Sequence, residues 1–129
     1  MRRDSPEQID NLFRQLIRII RRKNATASIV ISQIIPWACE NINSIQRIKR
    51  ETVNKNIVDM VKEMQGEHPS TFVFNTHKAF KKRGTNEVDT DLYARDGVHL
   101  NVEGNLKIRN MINGNIKVLK GKLKKMGKQ

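Results

Sequence analysis

A single cysteine, Cys39, stands in the 129-residue chain, so an internal disulfide and a cysteine-based zinc cage are both excluded. Aromatic residues make up only 5%, too few for a platform on which unpaired bases could stack. No apolar run approaches the roughly 18 residues that a membrane-spanning helix requires. The first residues, Met1-Arg2-Arg3-Asp4, have no apolar segment behind their basic side chains and do not read as a signal peptide. These absences set an intracellular, reducing compartment, cytoplasmic by default, as the expectation. Acids are also few: 13 Asp and Glu stand against 25 Lys and Arg, a formal charge of +12. That surplus predicts affinity for polyanions without naming one.

What is present is periodic. Ser5-Pro6-Glu7-Gln8 supplies a serine N-cap, a proline at the first helical position and a glutamine at the third. An apolar stripe follows at helical spacing: Ile9, Leu12, Phe13, Leu16, Ile17 and Ile20. Arg14, Arg18, Arg21 and Arg22 are expected on the wet face or at the end, and Asn24 is a stop signal. The β-branched run Ser28–Ile34 reads as a strand covered on both faces and closed by Pro36. A second helix is predicted from about Asn43 to Met64, with the stripe Ile45, Ile48, Ile57, Met60, Val61 and Met64. Thr71–Phe74 reads as a second buried strand, and a long polar stretch follows from Asn75 to Leu100. A last helix is predicted from an Asn101 N-cap, with Ile108, Met111, Ile112, Ile116, Leu119 and Leu123 on one face and with Gly104 and Gly114 weakening it.

The order α-β-α-β-α implies two parallel strands joined by a crossover helix. Two strands make a very small sheet, and one edge of the first has no neighbour. The pattern therefore points to further strands in a longer chain or a partner, or to self-association through that edge.

In an open parallel sheet, ligands bind beyond the carboxyl ends of the strands. There the second loop ends in Asp96-Gly97-Val98-His99, just before the last helix. A carboxylate at this spacing can bond one imidazole nitrogen and stabilise the imidazolium formed when the other takes a proton. With three histidines and six aspartates, such a spacing arises by chance about one time in seven, so it is weak alone. The plain alternative is a turn with His99 exposed. Cys39 beside Trp37 reads as packing rather than as a nucleophile, and His77 as a surface loop residue. Glu87, Asp89 and Asp91 lack the spacing of a calcium loop and read as a solvated acidic loop facing Lys78, Lys81, Lys82 and Arg83.

The segment Leu92-Tyr93-Ala94-Arg95-Asp96-Gly97-Val98-His99-Leu100-Asn101-Val102-Glu103-Gly104 resembles the last block of the SGNH, or GDSL-type, hydrolases. It looks especially like SGNH domains associated with retrotransposon-like elements. The resemblance is specific over about a dozen residues and extends in architecture over nearly the whole chain. It implies an α/β, three-layer flavodoxin-like fold, here an incomplete C-terminal portion with two parallel strands and three helices. Residues 4–116 would form that portion of an esterase domain, and 117–129 the basic end of the last helix and tail. In the intact family an ester of a small acyl or acetyl group is cleaved through a serine acyl-enzyme, with no metal or organic cofactor. His99 would be the base and Asp96 its partner. The family's Gly-Asp-Ser block is absent: Ser5, Ser28, Ser32, Ser44 and Ser70 all lie in other contexts. The Gly-x-Asn-Asp block is absent too, and the chain begins just after its expected position. A chain without nucleophile and oxyanion donors is expected to be inactive alone. A reading of another class is a non-catalytic basic scaffold or weak, non-specific nucleic-acid-binding module, with the lysines after Lys117 meeting phosphates.

Overall fold

The computed structural model describes residues 5–39 and 44–126. Met1–Asp4, the expected helix start at Asn43 and the last three residues of the tail lie outside them. Three helices and two strands alternate as the sequence predicts: α1 (Pro6–Lys23), β1 (Ile29–Ser32), α2 (Ile45–Met64), β2 (Thr71–Phe74) and α3 (Val102–Lys125). Short 3-10 turns at Lys78–Phe80 and Thr90–Leu92 interrupt the stretch before α3.

The helix ends follow from local chemistry. Ser5 accepts from the Gln8 N–H, and the Gln8 side chain accepts from the Ser5 N–H, forming a complete capping box. Asn24 ends α1 by donating its N–H to Ile20 O. Ser44 caps α2 and Asn101 caps α3, each through its side-chain oxygen.

β1 and β2 pair in parallel, Ile29 opposite Thr71 through Ser32 opposite Phe74. Ile29, Ile31 and Val73 pack with Ile17 of α1 and with Val53, Ile57, Met60, Val61 and Met64 of α2. Strand alternation sends Phe72 and Phe74 to the other face, into a cleft whose second wall is Asn115, Val118 and Leu119 of α3. The architecture is thus a helix–sheet–helix sandwich around two parallel strands. Coverage of β1 is less complete than its β-branched composition predicts: Val30 is half-buried and Ser32 exposed. Within the described residues β1 pairs with β2 alone, so its second edge is open.

Several side chains depart from the predicted stripes. Leu12 and Leu16 are exposed, because α1 turns Ile9, Phe13, Ile17 and Ile20 to the core and leaves its other apolar flank bare. Arg21, expected in solvent, is buried; it donates to Ala27 O and, at 2.9 Å, to Thr71 Oγ1, and burial pushes its pKa down. Ile45 and Ile48 are exposed, whereas Arg47, Arg50 and Asn54 of α2 are buried. The first half of α2 lies over loops rather than over the apolar sheet, so polar side chains that satisfy loop backbone win its inner face. Asn54 receives the Ile34 N–H at 2.7 Å and donates to Ile34 O at 2.8 Å. Ile112 and Ile116 of the α3 stripe are also exposed.

Candidate active site

The polar stretch after β2 carries a small core of its own. Phe80, Val88 and Tyr93 are buried, with Ile35, Ala38, Leu100, Ile108 and Met111 packed around them. Phe80 and Tyr93 meet edge to face, ring centroids 6.2 Å apart. The Tyr93 hydroxyl donates to Pro36 O, just beyond β1, and burial raises the Tyr93 pKa to about 12. The phenol thus remains a neutral donor and ties the second loop to the chain leaving β1.

From Tyr93 the chain makes a tight hairpin. Tyr93 and Leu100 form an antiparallel bridge, Ala94 N–H donates to His99 O at 2.8 Å, and Gly97 N–H to Ala94 O at 3.0 Å. Asn101 holds its base: the side chain donates to Asp91 O at 2.7 Å and accepts from the Gly104 N–H at 2.9 Å. Gly97 lies at φ +69°, and a Cβ there would stand 2.6 Å from Cys39 N. Its carbonyl accepts from Ala38 N–H at 2.7 Å and Cys39 N–H at 3.2 Å. Gly104, which the sequence marks only as a weak helix position, is buried, and a Cβ there would overlap Leu92 O. Both glycines are therefore required by close backbone approach.

This frame brings Asp96 and His99 together. His99 Nδ1 and Asp96 Oδ2 are 2.5 Å apart, and Asp96 Oδ1 accepts the backbone N–H groups of Val98 and His99 at 2.9 and 3.0 Å. The His99 side-chain bond, followed by the two backbone bonds, draws the Asp96 pKa down to about 2. An ionised carboxylate only accepts, so Nδ1 carries the proton and Nε2 presents its lone pair outward. The His99 side chain is 79% exposed, so nothing in the described structure blocks Nε2. The pair is an imidazole held in one orientation by a carboxylate, on the hairpin fastened to the chain leaving β1.

The remaining candidates stand in other environments. Trp37 follows β1 at the same end, partly exposed, with the Arg50 guanidinium 4.9 Å above its ring. Cys39 is exposed rather than packed, because the Ala38–Cys39 turn follows the Gly97 carbonyl at the surface. His77 is buried, not a surface residue, and Nε2 has no hydrogen-bond partner. Burial, reinforced by Lys81, lowers its pKa to about 4. Glu51 takes Lys81 at 3.1 Å and Arg47 at 3.4 Å; despite burial, these bonds lower its pKa. Asp89 caps the Thr90–Leu92 turn by accepting the Asp91 N–H. The burial of Arg47, Arg50 and His77 left no periodic signal, because it serves loops contributed by distant segments.

No helix among the described residues is long and apolar enough to cross a membrane. No family model and no curated protein matches the chain. Among solved structures it is similar to the esterase domain of the ZfL2-1 ORF1 protein from the zebrafish ZfL2-1 retrotransposon, with a TM-score of 0.71 and 19% identity. The similarity covers 88% of this chain and 64% of that one. At that identity the likeness concerns fold alone: the helix–sheet–helix arrangement of this chain is similar to part of that domain.

Proposed function

We propose that the chain is the C-terminal portion of an SGNH-type serine esterase domain, with His99 as general base and then acid and Asp96 as its orienting partner. The observation that carries this reading is the 2.5 Å Asp96–His99 bond at the carboxyl end of parallel strands, in a fold like that of an esterase domain. In such a site the serine hydroxyl attacks the ester carbonyl while His99 Nε2 takes its proton. His99 then returns that proton to the leaving alcohol, and a water repeats the cycle on the acyl-enzyme. Asp96 stabilises the imidazolium formed at each step. The described chain supplies this half of the machinery, whereas the sequence holds no Gly-Asp-Ser nucleophile block.

The test compares two proteins on a simple acetyl ester: the 129-residue chain, and a chain extended by whatever is encoded in frame before Met1. The extended protein is expected to carry a Gly-Asp-Ser serine, to label with a fluorophosphonate, and to lose activity by roughly 10³–10⁴-fold on His99→Ala. The 129-residue chain is expected to show no turnover above its own His99→Ala variant. Turnover by the short chain that depends on His99 would refute the division of the machinery, and Cys39 would be the first nucleophile to substitute. An extended chain without that serine or without turnover would refute the esterase reading.

A further inference from the structure

Beyond β2, on the small core that also supports the Asp96–His99 hairpin, the chain folds Lys81 back against Val88 as an antiparallel bridge. Lys82 N–H donates to Glu87 O at 2.8 Å and Thr85 N–H to Lys82 O at 3.0 Å, so the tip Lys82-Arg83-Gly84-Thr85 has a defined backbone. Against it stands Lys107, one turn into α3. Together they enclose a cleft of about 310 Å³ lined by five cations, Lys78, Lys81, Lys82, Arg83 and Lys107, and by no acid. Lys81 is engaged by Glu51 at 3.1 Å, and Lys82 meets Glu87 only at 3.9 Å. Lys78, Arg83 and Lys107 have no ion pair among the described residues.

We infer that this cleft binds the phosphate backbone of a nucleic acid, without reading its sequence. Four features of the cleft select that ligand. Its five cations gather in one concavity, and three of them, Lys78, Arg83 and Lys107, pair with no acid among the described residues, so their fields add there. Lys78, Lys82 and Arg83 are exposed; such side chains hold a polymer through several weak phosphate contacts and counterion release. No aromatic side chain lines the cleft, which removes base stacking as a source of preference. Its largest apolar lining residue is Ala79, so it offers no side chain to insert into a lipid interface. The proposal is independent of the esterase reading, since neither Asp96 nor His99 takes part.

The experiment is fluorescence anisotropy of the 129-residue chain with a labelled 20-nucleotide RNA and a 20-base-pair DNA duplex, over 50–300 mM KCl. The variant K78Q/R83Q/K107Q is compared with K117Q/K120Q/K124Q on the exposed side of α3, which removes the same three charges, each checked for native helicity by circular dichroism. The cleft variant is expected to lose at least tenfold in affinity at 100 mM KCl. Its salt slope should become shallower by about 0.7–0.9 for each phosphate contact removed. The α3 variant is expected to lose less than threefold. Equal losses in both variants would reduce the effect to net charge and overturn the assignment, as would a larger loss from the α3 variant or no binding by the parent chain. Binding to vesicles with 30% phosphatidylserine, lost in the cleft variant, but none to RNA or DNA, would assign the cleft to lipid headgroups and equally overturn it.

Discussion

The carbonyl of Gly97 accepts the Ala38 N–H at 2.7 Å, which fastens the hairpin bearing Asp96 and His99 to the chain leaving β1. Gly97 also sits at φ +69° with Cys39 N in the place of a Cβ. Gly97→Ala is expected to cost about 2 kcal/mol or more: roughly 1 kcal/mol for the left-handed conformation and the rest for separating the two loops. Urea denaturation gives this number directly. A loss below 0.5 kcal/mol, taken as roughly the scatter of neutral surface changes, would show that the contact is dispensable.

The Asp96 carboxylate requires His99 to carry its proton on Nδ1. Nitrogen-15 NMR at a pH where the ring is neutral is expected to show Nδ1 protonated and Nε2 bare. In Asp96→Asn the population should move toward the Nε2–H form. A parent chain already in the Nε2–H form would show that the two side chains are not bonded in solution.

His77 is buried among Lys81, Arg47 and Arg50, with Glu51 the one acid acting on it, and its pKa in the fold falls from 6.5 to about 4. The unfolded chain binds this proton first as the pH drops. This group's contribution to stability is therefore complete above about pH 6.5 and is lost progressively as the pH falls toward 4. The loss from this group is expected to be about 1–3 kcal/mol. Urea midpoints measured from pH 7.5 to 4.5 should slope downward in the parent chain and lie flatter in His77→Gln. Parallel pH profiles would mean that the imidazole is not buried neutral.

Asn54 replaces a missing strand neighbour for Ile34, accepting from its N–H and donating to its carbonyl. Asn54→Ala leaves both backbone groups without partners just past β1. The expected destabilisation is about 2–4 kcal/mol, well above that of the exposed substitution Lys55→Ala. Equal denaturation midpoints for the two variants would refute this role.

Ile29 donates its N–H to Ser70 O, just before β2, and Gln33 to Phe74 O at its end, so the N–H groups of Val30 and Ser32 face the open edge. Exposed Leu12, Leu16 and Ile19 on α1 add apolar surface. The chain is expected to self-associate with rising concentration, as read by light scattering after gel filtration. Ser32→Pro should reduce this with little change in helicity, because proline is tolerated on an edge strand. A parent chain monomeric at millimolar concentration would show that the edge is protected.

Local chemistry alone determined the elements: the Ser5–Gln8 capping box, the β-branched run at Ile29–Ile31, Thr71–Phe74 and the Asn101 cap are each written within a few residues. The pairing of Asp96 with His99 was legible for the same reason, since three residues around a glycine suffice to close it. Tertiary structure decided which face of each helix is covered. Apolar periodicity shows that α1 and α2 are amphipathic, but not that Leu12, Leu16, Ile45 and Ile48 lie where no neighbour arrives. It likewise decided the burial of Arg21, Arg47 and His77, because their surroundings come from segments far along the chain. Gly97 and Gly104 read locally as a turn former and a weak helix residue. Only the approach of the Cys39 and Leu92 backbones makes them obligatory, a steric demand that exists once the loops have met.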